Sequence, residues 1–231
     1  MTKPKGYVLW EGPSPIDGQP LVAIATLKTS NRKTGKMVQV WIIRSDISPL
    51  DAVSSGDDVS MCGDCPHRKQ SDGKRSCYVN VGQAPQSVWR AYKRGAYVQA
   101  KSGAFKGLRV RWGAYGDPAV LPADLFHHYN TGTLSHTAYT HQWRQPWAHW
   151  AVGVMMASCD SVKDYDEAKA KGWRTFNVFS VVSKAAINAK QCPATVANSQ
   201  AQCATCNLCN GSRADIYVHA HGPSRKAVTY V

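Results

Sequence analysis

Seven of the chain's eight cysteines fall into two short groups, and their spacing is that of metal ligands. The C-terminal group is Cys192, Cys203, Cys206 and Cys209. Its core, C-x2-C-x2-C, lets one tight turn aim three thiolates at a single centre, with a fourth from Cys192 or a distant residue. An iron–sulfur cube offers a separate iron corner to each closely spaced cysteine. A tetrahedral zinc more often takes its cysteines in pairs. Cys192 precedes Pro193, and a Cys-Pro pair also accompanies many such clusters. The pattern predicts bound metal and leaves iron–sulfur and zinc both open.

The N-terminal group, Cys62, Cys65 and Cys77, reads C-x2-C-x11-C. CGDC has the shape of a metal knuckle, where Gly63 lets backbone amides turn toward a thiolate. Three cysteines leave one position to fill. His67 or the distant Cys159 could complete a zinc site, or the position stays open for a substrate or cofactor.

A second set of candidates lies where strands are expected to end. GAYGDP supplies Tyr115 and Asp117, YTHQW supplies His141 and Gln142, MASCDS supplies Ser158 and Asp160, and YVHAHG supplies His219 and His221. Ligands of parallel β/α sheets sit at the carboxyl ends of the strands. Asp117, His141, Asp160, His219 and His221 are therefore expected at one mouth, as general acids or bases, metal ligands or phosphate holders.

The elements that must position these residues follow from periodicity. Tyr7 to Trp10, Leu21 to Leu27 and Met37 to Ile43 read as strands, with SNRKTGK (Ser30 to Lys36) as a basic hairpin tip. SPLDAVSSGDD is a loop or short helix. Further strands are predicted over Leu108 to Tyr115, Thr137 to His141, Ala151 to Ala157, Thr175 to Val182 and Asp215 to His221. Helices are predicted over Ser87 to Tyr97, Pro122 to Tyr129 and Val162 to Lys171. This alternation predicts an α/β fold, an open or partial β/α barrel of about five to six parallel strands. Residues 1–60 form its β-rich N-terminal segment and residues 61–231 carry the barrel and both cysteine sites, in one compact unit.

The 231 residues hold 28 Lys plus Arg against 15 Asp plus Glu, a net charge of +13. Such a surplus concentrates polyanions, and eight Trp and ten Tyr beside it suit single-stranded bases. Nucleic acid or another polyanion is the expected partner; a merely soluble basic protein is the blander alternative. No apolar run is long enough to span a membrane, and MTKPKGYVLW has no signal-peptide core. The expected location is therefore cytoplasmic, where thiols stay reduced and clustered cysteines bind metal. Walker-type phosphate loops, H-E-x-x-H and G-x-S-x-G are all absent.

Three cysteines ahead of alternating strands and helices resemble the radical S-adenosylmethionine enzymes, in architecture only and over residues 60–222. That resemblance implies a partial barrel, a three-cysteine cluster with one open iron at Cys62, Cys65 and Cys77, and an auxiliary cluster at Cys192, Cys203, Cys206 and Cys209. It implies S-adenosylmethionine as a cofactor. Gly116 to Pro118 stands roughly where that family carries a glycine–acidic motif after its second strand. The family's usual C-x3-C-x2-C is absent, which would make this an unusual branch. CGDCPHR, GAYGDP, CNLCNG and HAHG also resemble a group of uncharacterised phage-encoded proteins, which implies a host-cytoplasmic location. Three functions follow: a phage-type metalloprotein that binds nucleic acid, with or without acting on it enzymatically, an atypical radical enzyme, or a non-enzymatic inhibitor of a host system with structural metals.

Overall fold

The computed structural model describes residues 4–180 and 187–220. Its elements run β1 (Gly6–Pro13), β2 (Pro20–Thr26), β3 (Val38–Arg44), α1 (Pro49–Ser55), α2 (Val59–Cys62), α3 (Ala84–Lys93), β4 (Val98–Gln99), β5 (Arg109–Tyr115) and α4 (Ala123–Asn130). They continue with β6 (Ser135–Thr137), β7 (Tyr139–Thr140), β8 (Met156–Cys159), α5 (Val162–Ala170), β9 (Arg174–Phe179), β10 (Lys190–Gln191), α6 (Cys203–Cys206) and β11 (Ile216–His219).

One sheet is ordered β4-β1-β2-β3-β5-β6 and the other β10-β11-β9-β8-β7. Among the described pairs only β2 runs antiparallel to its neighbours; every other pairing is parallel. The two sheets meet at β6 and β7, which are separated by Ala138 alone. Its carbonyl accepts from Met156 N (2.9 Å) and its N–H donates to the Cys209 carbonyl (3.3 Å). The expected parallel α/β architecture is present, without closure into a barrel among the described residues. The N-terminal strands are part of it, since β3 pairs directly with β5.

Alternation along the strands gives the sheet two different faces. Val110, Trp112, Ala157 and Cys159 point into the main core, where α4 contributes Phe126 and α5 contributes Ala168. The Trp112 and Phe126 rings lie 4.7 Å apart. Burying side chains of this kind stabilises the fold by about 1.5–3 kcal/mol each, an upper estimate against a compact unfolded chain. The residues one step along, Arg111, Thr137, Tyr139, Ser158, Phe176 and Ile216, line a cavity on the other face.

Several elements differ in extent from the sequence expectation. The helix predicted from Ser87 begins at Ala84, because Pro85 fits its first turn. The strand expected over Ala151 to Ala157 starts only at Met156; a 3₁₀ turn occupies Pro146–Ala151, and Gly153 at φ 82° reverses the chain. The strand expected over Thr137 to His141 is the broken pair β6 and β7. The expected ends at Val182 and His221 lie outside the described residues.

Candidate functional site

All seven clustered cysteines line the same cavity, of about 300 Å³. Cys62 closes α2, and Gly63 then turns with φ 55° and ψ −131°, a conformation that favours glycine. A Cβ there would stand 2.2 Å from the Gln142 side chain. Gln142 is packed so closely because its Nε2 donates to the Cys62 carbonyl (3.0 Å) and to Asp64 Oδ1 (3.0 Å). Arg68 holds the loop from the other side, donating to Asp58 (2.8 Å), the Gly63 carbonyl (2.9 Å) and the Gly56 carbonyl (2.6 Å). Cys77 N donates to the His67 carbonyl (2.9 Å), which returns the third thiol to the first two. Burial drives the Cys62 thiol well above its ordinary range, and Cys65 and Cys77 add to the rise. Burial also raises Cys77. A bound metal would reverse this, because it takes the thiolate.

The C-terminal group is built on one turn of helix, α6, ended by Asn207 in the left-handed region (φ 57°). Its backbone is tied to the basic tip: Cys203 N donates to Lys33 O, Ala204 N to Thr34 O, both at 3.0 Å, and Gln202 Nε2 to Arg32 O at 3.0 Å. Cys192 N donates to Tyr217 O (2.9 Å), which places the fourth thiol beside β11. Burial pushes Cys209 up to about 12, with further contributions from Cys192, Cys203 and Cys206.

Between the strand ends and the N-terminal loop lies a carboxylate bridge. Asp160 Oδ1 accepts from His67 Nε2 (2.8 Å) and Asp160 Oδ2 from His141 Nε2 (3.0 Å). The Ser76 hydroxyl completes His67 at Nδ1 (2.8 Å). Cys65 Sγ is 4.0 Å from His141 Nε2. Burial disfavours the charge on Asp160, yet the two imidazoles hold its pKa below the usual carboxylate range. Burial also works against a charged His141, but Cys65 and Asp160 outweigh it and hold the ring well above ordinary imidazole. Two imidazoles and a carboxylate also suit a divalent cation; their mutual hydrogen bonds satisfy them as they stand.

Asp117 is buried and its oxygens are engaged, by Ala119 N (2.9 Å), Thr140 Oγ1 (3.0 Å) and His141 N (2.8 Å). It orients His141 rather than facing solvent. Gly116 before it lies at φ 80°, where a Cβ would meet Ile42 O at 2.3 Å.

The expected convergence therefore holds for Asp117, His141 and Asp160 and fails for His219. Strand alternation turns Val218 into the cavity and His219 away from it; the His219 ring is hydrogen-bonded to the Ser180 carbonyl (3.0 Å). His221 lies outside the described residues. Cys159 as a fourth thiol ligand is also corrected: it is fully buried in the main core and its Sγ donates to the Ala157 carbonyl (3.6 Å). His67 lines the cavity, but both its nitrogens are taken up by Ser76 and Asp160. Sequence reasoning missed Arg111, Thr137 and Tyr139. The two-residue step from Tyr139 to His141 and the four-residue step from Arg111 to Tyr115 were the available signal.

No family model, no curated protein and no solved structure matches this chain.

Proposed function

We propose that this chain is a two-centre iron–sulfur enzyme whose reaction takes place in the space between its cysteine groups. The observation that carries the reading is that both groups line one cavity. A purely structural pair of metals has no need of a shared chamber walled by sheet residues.

The donor sets fit iron–sulfur better than zinc. Among the described residues the only trio with ligand atoms within 4.8 Å of one another is His67, His141 and Asp160, so no three sulfurs are that close. Tetrahedral zinc would hold sulfurs about 3.8 Å apart. A cube takes each thiolate on a different iron and accepts wider spacing. Cys192, Cys203, Cys206 and Cys209 would hold a closed cluster; Cys62, Cys65 and Cys77 would hold one with an open iron. When bound, such centres supply single electrons, and the resemblance to radical enzymes names S-adenosylmethionine for the open position. The chain's own residues do the rest. Gln142 and Arg68 fix the loop, Asp117 orients His141, and His141 holds a proton at Nε2 between Asp160 and Cys65.

A polyanionic substrate, nucleic acid first, is part of the proposal. Arg32, Lys33 and Lys36 are exposed on the tip that docks against the C-terminal thiols. None of the three is ion-paired among the described residues. Among the described residues no helix is long and apolar enough to cross a membrane.

Anaerobic reconstitution with iron and sulfide tests the reading. Brown protein is expected, with each of C65S and C206S losing about half the iron. Colourless protein that takes up zinc instead would overturn it.

A further inference from the structure

Resting on that reading, we infer that the molecule held between the two thiol groups carries an oxyanion, a phosphate or a carboxylate, and that Arg111 and Thr137 receive it. The two residues are direct cross-strand partners on β5 and β6. Both line the cavity. Arg111 donates through Nη2 to the Tyr78 hydroxyl and has no carboxylate partner among the described residues. The only carboxylate among the lining residues is Asp117, and its oxygens are already engaged by Ala119, Thr140 and His141.

Thr137 supplies the independent observation. It is 2% exposed, and its Oγ1 meets no hydrogen-bonding partner. A buried hydroxyl left without a partner costs about 1–3 kcal/mol, and the half-buried Arg111 beside it, near the Cys203 thiol, has guanidinium donors beyond the one given to Tyr78. Side by side, they offer a planar cationic fork and a hydroxyl donor, the set that recognises a flat carboxylate or a phosphate edge. Lys33 adds a second cation to the same lining. The walls around them are apolar and aromatic: Tyr139 and Phe176 have ring centroids 4.6 Å apart. The implied ligand has an apolar or aromatic body and an anionic end.

Two matched probe pairs separate the sources of the oxyanion: adenosine monophosphate against adenosine, and phenylacetate against phenylethanol. Each is titrated calorimetrically into reconstituted protein, with iron and sulfide measured for every variant. The charged member of at least one pair should bind about tenfold or more tightly than its neutral partner. The first pair reports phosphate and the second carboxylate. In R111Q that preference should vanish. In T137V, whose side chain has the same shape, it should fall by about 2- to 10-fold with iron content unchanged. Equal or absent binding of charged and neutral members in both pairs would overturn the inference. So would an unchanged preference in both variants. Loss of iron and sulfide from R111Q, with the preference intact in T137V, would make Arg111 a counter-charge of the metal centre and equally overturn it. The two readings fail separately. A charged preference in protein that takes up no iron sinks only the iron–sulfur assignment, and iron-loaded protein without the preference sinks only the oxyanion site.

Discussion

The two thiol groups face one cavity but are built on different principles. The C-terminal group consists of four thiols on a short, mostly irregular segment. Its only apolar packing is a small cluster in which Cys209, Cys192 and Leu208 meet Met156 and Ile216. It is held by backbone bonds to the basic tip and β11, and by Asp215. The N-terminal group has three thiols in a loop already locked by Arg68 and Gln142, and it alone has imidazoles and a carboxylate beside it. On the proposed reading, one region would need its metal in order to be a structure. The other is a structure that presents an incomplete ligand set to a ligand. On that reading the same residue type, cysteine, would serve as a staple in one place and as an open socket in the other.

The largest expected effect breaks the staple. C206S should strip the C-terminal metal and lower the melting temperature by on the order of 10 °C, since metal binding there is coupled to folding. Calorimetry with metal analysis checks it, and unchanged metal content in that variant would sink the comparison. C65S is the contrasting case. It should lose the N-terminal metal while the melting temperature moves by only about 3 °C or less, because the Arg68 and Gln142 bonds survive. Equal destabilisation by the two variants would mean that both sites are staples.

Much of this division was legible in the sequence. Both cysteine groups stood out by spacing, and the parallel α/β pattern followed from alternating periods. What the sequence hid was direction. YVHAHG reads as two histidines on one strand face, but whether that face is the cavity or the outside depends on register with β9, which no local pattern encodes. Cys159 was ambiguous for the same reason: one step along β8 separates the chamber from the core. The Asp160 bridge joins residues 93 positions apart in the chain, His67 and Asp160, and only the folded sheet brings them together. Arg111 looked like one more of 28 basic residues until its neighbours were known.

A middling effect tests how the C-terminal segment is anchored. Asp215 accepts from Thr175 N (2.8 Å), Lys169 Nζ (2.8 Å) and Arg174 Nη1 (3.1 Å). Burial opposes its charge, but these partners lower its pKa below the usual carboxylate range. The sign is fixed by that direction. Stabilisation is present above the unfolded value of about 3.9 and is lost as pH falls through the folded value. D215N should therefore cost about 1–3 kcal/mol near neutral pH, toward the low end because Lys169 and Arg174 are partly screened by solvent. The gap from native protein should narrow in urea titrations near pH 3. A gap that stays constant with pH would mean that shape, not charge, anchors the segment.

The smallest effect concerns the two rims. On the N-terminal side the basic residues are already engaged: Arg68 pairs with Asp58 (2.7 Å) and Lys74 with Asp72 (3.0 Å), while Lys69 donates to the Ser54 carbonyl and Arg75 to those of Cys77 and Val79. On the C-terminal side Arg32, Lys33 and Lys36 are unpaired among the described residues, so a polyanion gains more there. Each phosphate that meets a free cation releases a counterion, and each such contact on a single strand adds about 0.7 to the logarithmic salt slope. Binding of single-stranded DNA should weaken steeply between low and moderate salt, and the triple variant R32Q/K33Q/K36Q should flatten that slope by roughly 2. The variant K69Q/K74Q, on the other rim, should flatten it by less than about 1. Fluorescence anisotropy over a salt series measures both. If the two variants flatten the slope equally, the polyanion spreads over the whole basic surface and the mouth beside the C-terminal thiols is not its entrance. If neither variant changes the slope, the strand binds elsewhere, and the cavity then takes a small anion that diffuses in alone.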